Sequence, residues 1–278
     1  MIISHLLRNS VQCIPWRYRN RVKHWPVIAP LQRWLIQRFL ANREFLHTVN
    51  AGPAKGLRYW VKLPEDKNVW TGTYERDFAA ALANSTDAGD VCLDIGGYRG
   101  FFAGVLALAG ASEVHIFEPF PDNIKRIRAL IAANPDLPLR LHEMAVGTEL
   151  GETDFFVMPE DSMGKLCNSR FQEHQHGKAV IEVKVETLDH LRDTGILPMP
   201  RVVKIDVEGA EAMVLRGGER MFRCDRPKVF IEIHSRPLAR ECSTLLRTLG
   251  YSVSVLETQR CPDFQTEPEI CHFAAVVD

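Results

Sequence analysis

From Val91 to the C-terminus, short apolar runs alternate with longer stretches whose apolar positions recur every three to four residues. The runs read as strands buried on both faces, and the stretches as helices with one apolar stripe. The pattern predicts a strand from Val91 that runs into a glycine turn ending at Gly100. It then predicts a helix over 101–108, a strand over 113–118, a helix over 121–134 opened by Pro121, and a strand over 139–146. The same rhythm returns with a strand over 202–207, a helix from about 209, a strand over 229–233, a helix over 237–249 and closing strands near 252–256 and 272–277. Such alternation closes into a doubly wound, mostly parallel α/β sheet with right-handed crossovers.

Two regions fall outside that rhythm. Residues 153–157 and 180–185 alternate like antiparallel strands around a polar loop, 159–177, of the length typical of a lid or of a segment without fixed structure. Within it His174 and His176 have H-x-H spacing, but a loop pair of this kind is usually solvated, and metal binding is the minor alternative. Upstream, a strand is predicted over 57–63 and a helix over 70–83. Residues 1–55 form a separate extension ahead of the domain at 56–278. From Leu31 to Leu46 the bulky residues fall at helical spacing, giving an amphipathic helix.

Charge changes the picture of that extension. The chain of 278 residues has a net charge of −1, which gives no case for nucleic acid or acidic partners overall. Arg8, Arg17, Arg19, Arg21, Lys23, Arg33, Arg38 and Arg43 nevertheless face the single acid Glu44, so the extension is basic. It is expected to pack on the domain with its arginines solvated, the alternative being a peripheral contact with an anionic membrane surface. Seven scattered cysteines and the absence of a signal-like start or an apolar span lead to the expectation of a reduced, cytoplasmic protein.

The chemistry starts at VCLDIGGYRG, 91–100, where a buried strand delivers Asp94 and a glycine turn to its carboxyl end. An acid there opposes a phosphate-led ligand and suits S-adenosylmethionine, which carries an ammonium and a sulfonium. Glu118, 24 residues on, ends the next strand where an acid accepts from ribose hydroxyls. The turn at 142–146 is placed to wall an adenine, with Met144 against a ring face. In VVKIDVEGAE, 202–211, period 2 puts Lys204, Asp206 and Glu208 on one side, and in VFIEIH, 229–234, Phe230, Glu232 and His234 share a face. If these strands are neighbours, Asp206, Glu208, Glu232 and His234 converge beside the glycine turn, as a general base or a divalent-metal site requires. The structural alternative is a network in which Lys204 neutralises Glu232 and Glu211 only enriches a helix start.

Together these blocks resemble the FkbM family of S-adenosylmethionine-dependent methyltransferases. The resemblance covers about Gly56 to the C-terminus, through GTYE at 72–75, DIGGYRGFF at 94–102, IFEPFPDN at 116–123, AVG at 145–147, KIDVEGAE at 204–211 and IEIH at 231–234. It implies the class I methyltransferase (Rossmann-like) fold, a mostly parallel sheet with an antiparallel C-terminal strand. It also implies S-adenosylmethionine as donor and an oxygen acceptor on a small molecule or glycan. By position, Asp94, Gly96, Gly97, Gly100 and Ala145 would line the cofactor, Glu118 would bind ribose, Glu75 would close over it, and Asp206 would lie near the methyl group. Asp206, Glu208 and His234 are then the catalytic candidates, working without metal in preference to an ion on Asp206, Glu232 and His234. Tyr98 departs from the family, which has asparagine there. Tyrosine tolerates the left-handed conformation poorly, so Gly97 is expected to carry that dihedral. Two rivals are a non-catalytic binder and a nicotinamide-dependent oxidoreductase, the latter opposed by the lack of a G-x-G-x-x-G turn.

Overall fold

The computed structural model describes residues 44–157, 164–166, 179–264 and 270–277. The polar loop expected over 159–177, with His174 and His176, lies outside them apart from 164–166, which form a short strand, and so does the basic stretch before residue 44. The chain divides into two compact units, Met1–Tyr74 and Glu75–Asp278. In the first, β1 (Glu44–Thr48) and β2 (Arg58–Lys62) pair antiparallel and precede a short helix, α1 (Lys67–Thr71). Phe45 and Leu46 therefore sit in a strand and not in the expected helix. Phe45 and His47 are buried while Glu44 and Thr48 are exposed, which is a period of 2 and not of 3.6. The helix expected over 70–83 also differs, being split into α1 and α2 (Arg76–Ser85). Gly72 at φ 71° and Glu75 at φ 35° turn the backbone left-handed between them, and a Cβ on Gly72 would lie 2.4 Å from the Ala51 carbonyl oxygen.

In the second unit α2 leads to β3 (Val91–Ile95), α3 (Phe101–Ala109), β4 (Glu113–Phe117), α4 (Pro121–Ala133) and β5 (Leu139–His142). There follow β6 (Ala145–Val146), β7 (Gly151–Val157), β8 (Gly164–Leu166) and β9 (Ala179–Glu186), then α5 (Leu188–Asp193) and β10 (Val202–Ile205). The unit ends with α6 (Glu211–Gly217), α7 (Glu219–Asp225), β11 (Lys228–Ile233), α8 (Arg236–Thr248), β12 (Ser252–Val255) and β13 (Cys271–Val276). The large sheet has the order β12-β13-β11-β10-β3-β4-β5, and a smaller one has β6-β9-β7-β8. β11, β10, β3, β4 and β5 run parallel, whereas β13 is antiparallel to both of its neighbours. The strand expected over 139–146 is thus two strands in two sheets. They part at a bend where the Met144 N–H donates back to the His142 carbonyl at 3.0 Å. Helices α5 and α7 have no counterpart in the sequence pattern. Each is short and held by a side-chain cap, Thr187 accepting from the His190 N–H and Asp189 accepting from the N–H groups of Arg220 and Met221.

The period of 2 sorts the strands of the large sheet onto two covered faces. Leu93, Ile95, Val203, Ile205, Val229, Ile231, Ile233 and Phe273 belong to one apolar cluster with Val214, Phe222, Leu238 and Leu246 from α6, α7 and α8. Helix α8 earns its place there because Ser235 caps it, Pro237 suits its first turn, and Leu238, Ala239, Cys242 and Leu246 form one stripe. The opposite face carries Phe230 and His272, against which Phe78 of α2 packs. This face also holds the polar residues Lys204 and Asp94, beneath α2 and α3.

A polar network joins β4 to β5, with Arg140 pairing to Glu113 at 3.1 Å. His115 Nε2 lies 3.1 Å from Glu113, and His115 Nδ1 lies 2.9 Å from His142 Nε2, the two rings stacked 5.1 Å apart. The chain of bonds is satisfied by neutral rings, with His142 donating to His115 and His115 donating to Glu113. Burial lowers the pKa of both imidazoles, and for His142 the neighbouring His115 and Arg140 add to it, taking it to about 4. A folded-state pKa below the unfolded value means that the stabilising contribution is complete above about 6.5 and is lost as pH falls toward about 4. Thermal unfolding is therefore expected to shift to lower temperature across that window. His142→Gln keeps a donor but does not titrate, and it should flatten the profile.

Candidate active site

The turn after β3 is built for close approach. Gly96 has φ 79°, and a Cβ there would lie 1.7 Å from the Asp206 carbonyl oxygen. Gly97 is needed for a different reason from the one expected. Its φ is not left-handed, but a Cβ would lie 2.3 Å from Ile116 Cγ2. The left-handed dihedral falls on Tyr98 itself, φ 49°. Tyr98 is held there by its own backbone, whose N–H donates to Glu118 Oε2 at 2.8 Å, and the Arg99 guanidinium lies 5.0 Å over its ring. The N–H groups of Gly96 and Gly97 donate to the Phe117 carbonyl, and that of Gly100 to Gly97. A pyrophosphate would need these donors, so the turn is closed to one by hydrogen bonding as well as by charge.

Glu118, just past β4, is buried and accepts from the N–H groups of Tyr98 and Phe120. Desolvation dominates its titration and raises its pKa to about 7 despite those bonds. Asp94 is fully buried, and its Oδ1 is 2.9 Å from Lys204 Nζ. Lys204 is equally buried; its ammonium donates to the Gly96 carbonyl at 2.7 Å and lies 3.4 Å from Asp206 Oδ2. Burial disfavours the ammonium, but Asp94 and Asp206 outweigh it and hold Lys204 above its usual pKa. The structural alternative set Lys204 against Glu232; its ion-pair partners are instead the aspartates of β3 and of the β10 end, with Glu232 adding a weaker attraction. Ala145 is buried in β6, and Met144 packs against the apolar cluster.

Around His234 four carboxylates converge. Its Nδ1 is 2.5 Å from Glu211 Oε1, and its Nε2 is 3.3 Å from Glu208, 3.6 Å from Asp206 and 3.7 Å from Glu232. Helix α6 starts at Glu211 and not near Gly209, because Glu208 at φ 51° and Gly209 at φ 95° turn the chain first. That delay lets Glu211 reach His234 from a fully buried position. Burial opposes a charge on His234, yet the carboxylates of Glu211, Asp206 and Glu208 raise its pKa to about 9. Burial raises Glu208 to about 7. Three of the residues with left-handed φ, Glu75, Tyr98 and Glu208, belong to the glycine turn or to the acid rim, where strained backbone marks a candidate site.

A second histidine extends the cluster, and sequence reasoning missed it. β13 pairs antiparallel with β11 so that His272 stands opposite Glu232. Its Nδ1 is 2.5 Å from Glu257 Oε1, and its Nε2 is 3.6 Å from Glu232 and 3.7 Å from Glu75. Burial again opposes the charge, but Glu232, Glu75 and Glu257 raise the pKa of His272 to about 10. The signal for His272 was its place in an alternating strand; what the sequence lacked was the antiparallel register that aims it at Glu232. Glu211 and Lys204 were visible but read as structural.

A mostly parallel sheet with this strand order, ending in an antiparallel strand, is the class I methyltransferase fold. The family model for the methyltransferase FkbM domain matches residues 94–254, and the chain belongs to that family. It is a methyltransferase whose methyl donor is S-adenosylmethionine. A curated relative, the hexuronic acid methyltransferase AglP of Haloferax volcanii, is 28% identical over a 242-residue alignment that covers 85% of this chain and 94% of that protein. Among solved structures, the methyltransferase FkbM from Methylobacillus flagellatus KT shares 16% identity at a TM-score of 0.44, covering 75% of this chain and 55% of that one. This chain thus spans little more than half of that structure's length. The precorrin-6y C5,15-methyltransferase from Geobacter metallireducens GS-15 shares 13% identity at a TM-score of 0.45, covering 72% of this chain and 89% of that one. Among the described residues no helix is long and apolar enough to cross a membrane.

Two substitutions test this geometry. Tyr98→Asn keeps the left-handed turn with a residue that tolerates it and is expected to stabilise the chain by roughly 0.5–1 kcal/mol, read as a higher urea midpoint at constant slope. Lys204→Met leaves the buried Asp94 without its cation and should cost roughly 3–5 kcal/mol; the double variant Asp94→Asn/Lys204→Met should recover part of that loss.

Proposed function

We propose that the protein transfers the methyl group of S-adenosylmethionine to a hydroxyl oxygen of a small molecule or glycan, with a sugar acid as the favoured acceptor class. The observation that carries this reading is the position of Lys204. One ammonium touches the Gly96 carbonyl in the glycine turn and Asp206 in the acid rim, so the two halves of the site lie within one side chain of each other. In this reading Asp94, Gly96, Gly97, Gly100 and Ala145 line the cofactor, Glu118 accepts from its ribose, and Glu75 closes over it.

Methyl transfer is an in-line displacement in which the acceptor oxygen attacks the methyl carbon as the sulfonium bond breaks. Most of the acceleration then comes from alignment and exclusion of water. The acceptor proton must leave as the bond forms, and in this reading a carboxylate, Asp206 or Glu208, takes it, with His234 beside them held in its charged form by those acids and Glu211. The relative that acts on hexuronic acid supports a sugar acid as the class of acceptor.

The expected result is a mass gain of one methyl group on hexuronic-acid-containing glycans incubated with the protein and S-adenosylmethionine. Asp206→Asn should lower kcat by roughly 10²-fold to 10⁴-fold while calorimetry shows S-adenosylhomocysteine still bound. Equal rates for the variant and the wild type would remove Asp206 from the mechanism.

A further inference from the structure

The two histidines of the rim share one geometry. Each commits Nδ1 to a carboxylate at 2.5 Å, His234 to Glu211 and His272 to Glu257. That contact fixes the ring and leaves Nε2 facing inward, the arrangement by which carboxylates orient metal-binding imidazoles. Each Nε2 then faces more than one carboxylate at 3.3–3.7 Å. The contacts to Asp206, Glu232 and Glu75, at 3.6–3.7 Å, are longer than an ordinary N–H···O bond. They match two ligand atoms on a common ion, which bonds of about 2.1 Å in a tetrahedral shell hold about 3.4 Å apart.

The polar atoms around this space point the same way. His272 Nε2 and Glu75 Oε2 are buried with no hydrogen-bond partner, and the fully buried Glu211 leaves its Oε2 equally unpartnered. Six carboxylates, from Glu75, Asp206, Glu208, Glu211, Glu232 and Glu257, crowd two imidazoles, and Lys204 is shared with Asp94. The carboxylates outnumber the cationic groups beside them, and a partly buried excess of negative charge calls for a further counter-charge. Glu232 divides its two oxygens, Oε1 toward His234 and Oε2 toward His272.

We propose that this rim binds a pair of divalent first-row cations, one held by Asp206, Glu232 and His234 and the other by Glu75, Glu232 and His272, with the Glu232 carboxylate bridging them. One imidazole with two carboxylates per ion suits Mn²⁺ or Zn²⁺ better than Mg²⁺. A cation there would sit beside the acceptor position and lower the pKa of a bound hydroxyl. The site itself does not depend on the acceptor or on methyl transfer.

The test uses the full chain, stripped with EDTA and titrated with MnCl₂ alone, with free Mn²⁺ followed by electron paramagnetic resonance and bound metal counted by mass spectrometry. Two ions per chain are expected. His234→Ala and His272→Ala should each lose one, and Glu232→Gln should weaken both. Glu257 is half exposed and touches no proposed ion; Glu257→Gln should weaken only the second ion, by roughly 10-fold to 100-fold, in a protein whose circular dichroism is unchanged. A single ion per chain would overturn the bridged pair. No binding, or binding unaffected by Glu232→Gln, would overturn the site. Calorimetry with S-adenosylmethionine on the same stripped samples keeps that outcome separate from a failure of the methyltransferase reading.

Discussion

The buried ammonium of Lys204 is the constraint around which the second unit is organised. An amine at 1% exposure survives only beside compensating charge, and a fully buried carboxylate such as Asp94 has the same need. Each is the answer to the other, and the parallel register that sets Lys204 opposite Asp94 supplies the geometry. Because the same ammonium also takes the Gly96 carbonyl, the pair fixes the first residue of the glycine turn as well as the neighbouring strand. The turn and the acid rim therefore move as one piece, which is what an in-line transfer needs from its scaffold.

That pairing also changes what Asp94 contributes. Its charge is balanced from below by Lys204, so the turn is selective chiefly because Gly96, Gly97, Tyr98 and Gly100 have spent their N–H groups on protein acceptors. Glu118 takes part in the same economy. It accepts from Tyr98 and Phe120, and in doing so it holds a tyrosine in a conformation that asparagine would adopt more readily.

The parallel core was legible because period and punctuation agree there. Strands β3, β4 and β10 are apolar runs closed by an acid or a glycine, β11 is one closed by His234, and α4 and α8 have prolines and a cap where helices should begin. The convergence of Asp206, Glu208, Glu232 and His234 was legible too, since adjacent parallel strands end on one rim. What failed is local. Phe45 and Leu46 fit a helical stripe and a strand equally well over so few residues, and pairing with β2 decides between them. The split of residues 139–146 between two sheets rests on a single bend at Met144, which no composition signal marks. The partner of Lys204 could not be read either, because period 2 gives a residue's face but not which neighbouring strand its side chain leans toward.

The reversed strand β13 accounts for the largest gap between sequence and site. In a purely parallel sheet only residues after the carboxyl end of each strand can reach the rim. An antiparallel strand presents its amino end there instead, so His272, second in β13, arrives beside Glu232, near the end of β11. The rim thus gains a histidine from the far end of the sequence, and Glu232 gains a second imidazole for its second oxygen. With Phe78 stacked on that ring at 4.4 Å and Glu257 on its Nδ1, the imidazole has little freedom to turn away. The chemistry of this site is set as much by strand direction as by the conspicuous acids of KIDVEGAE.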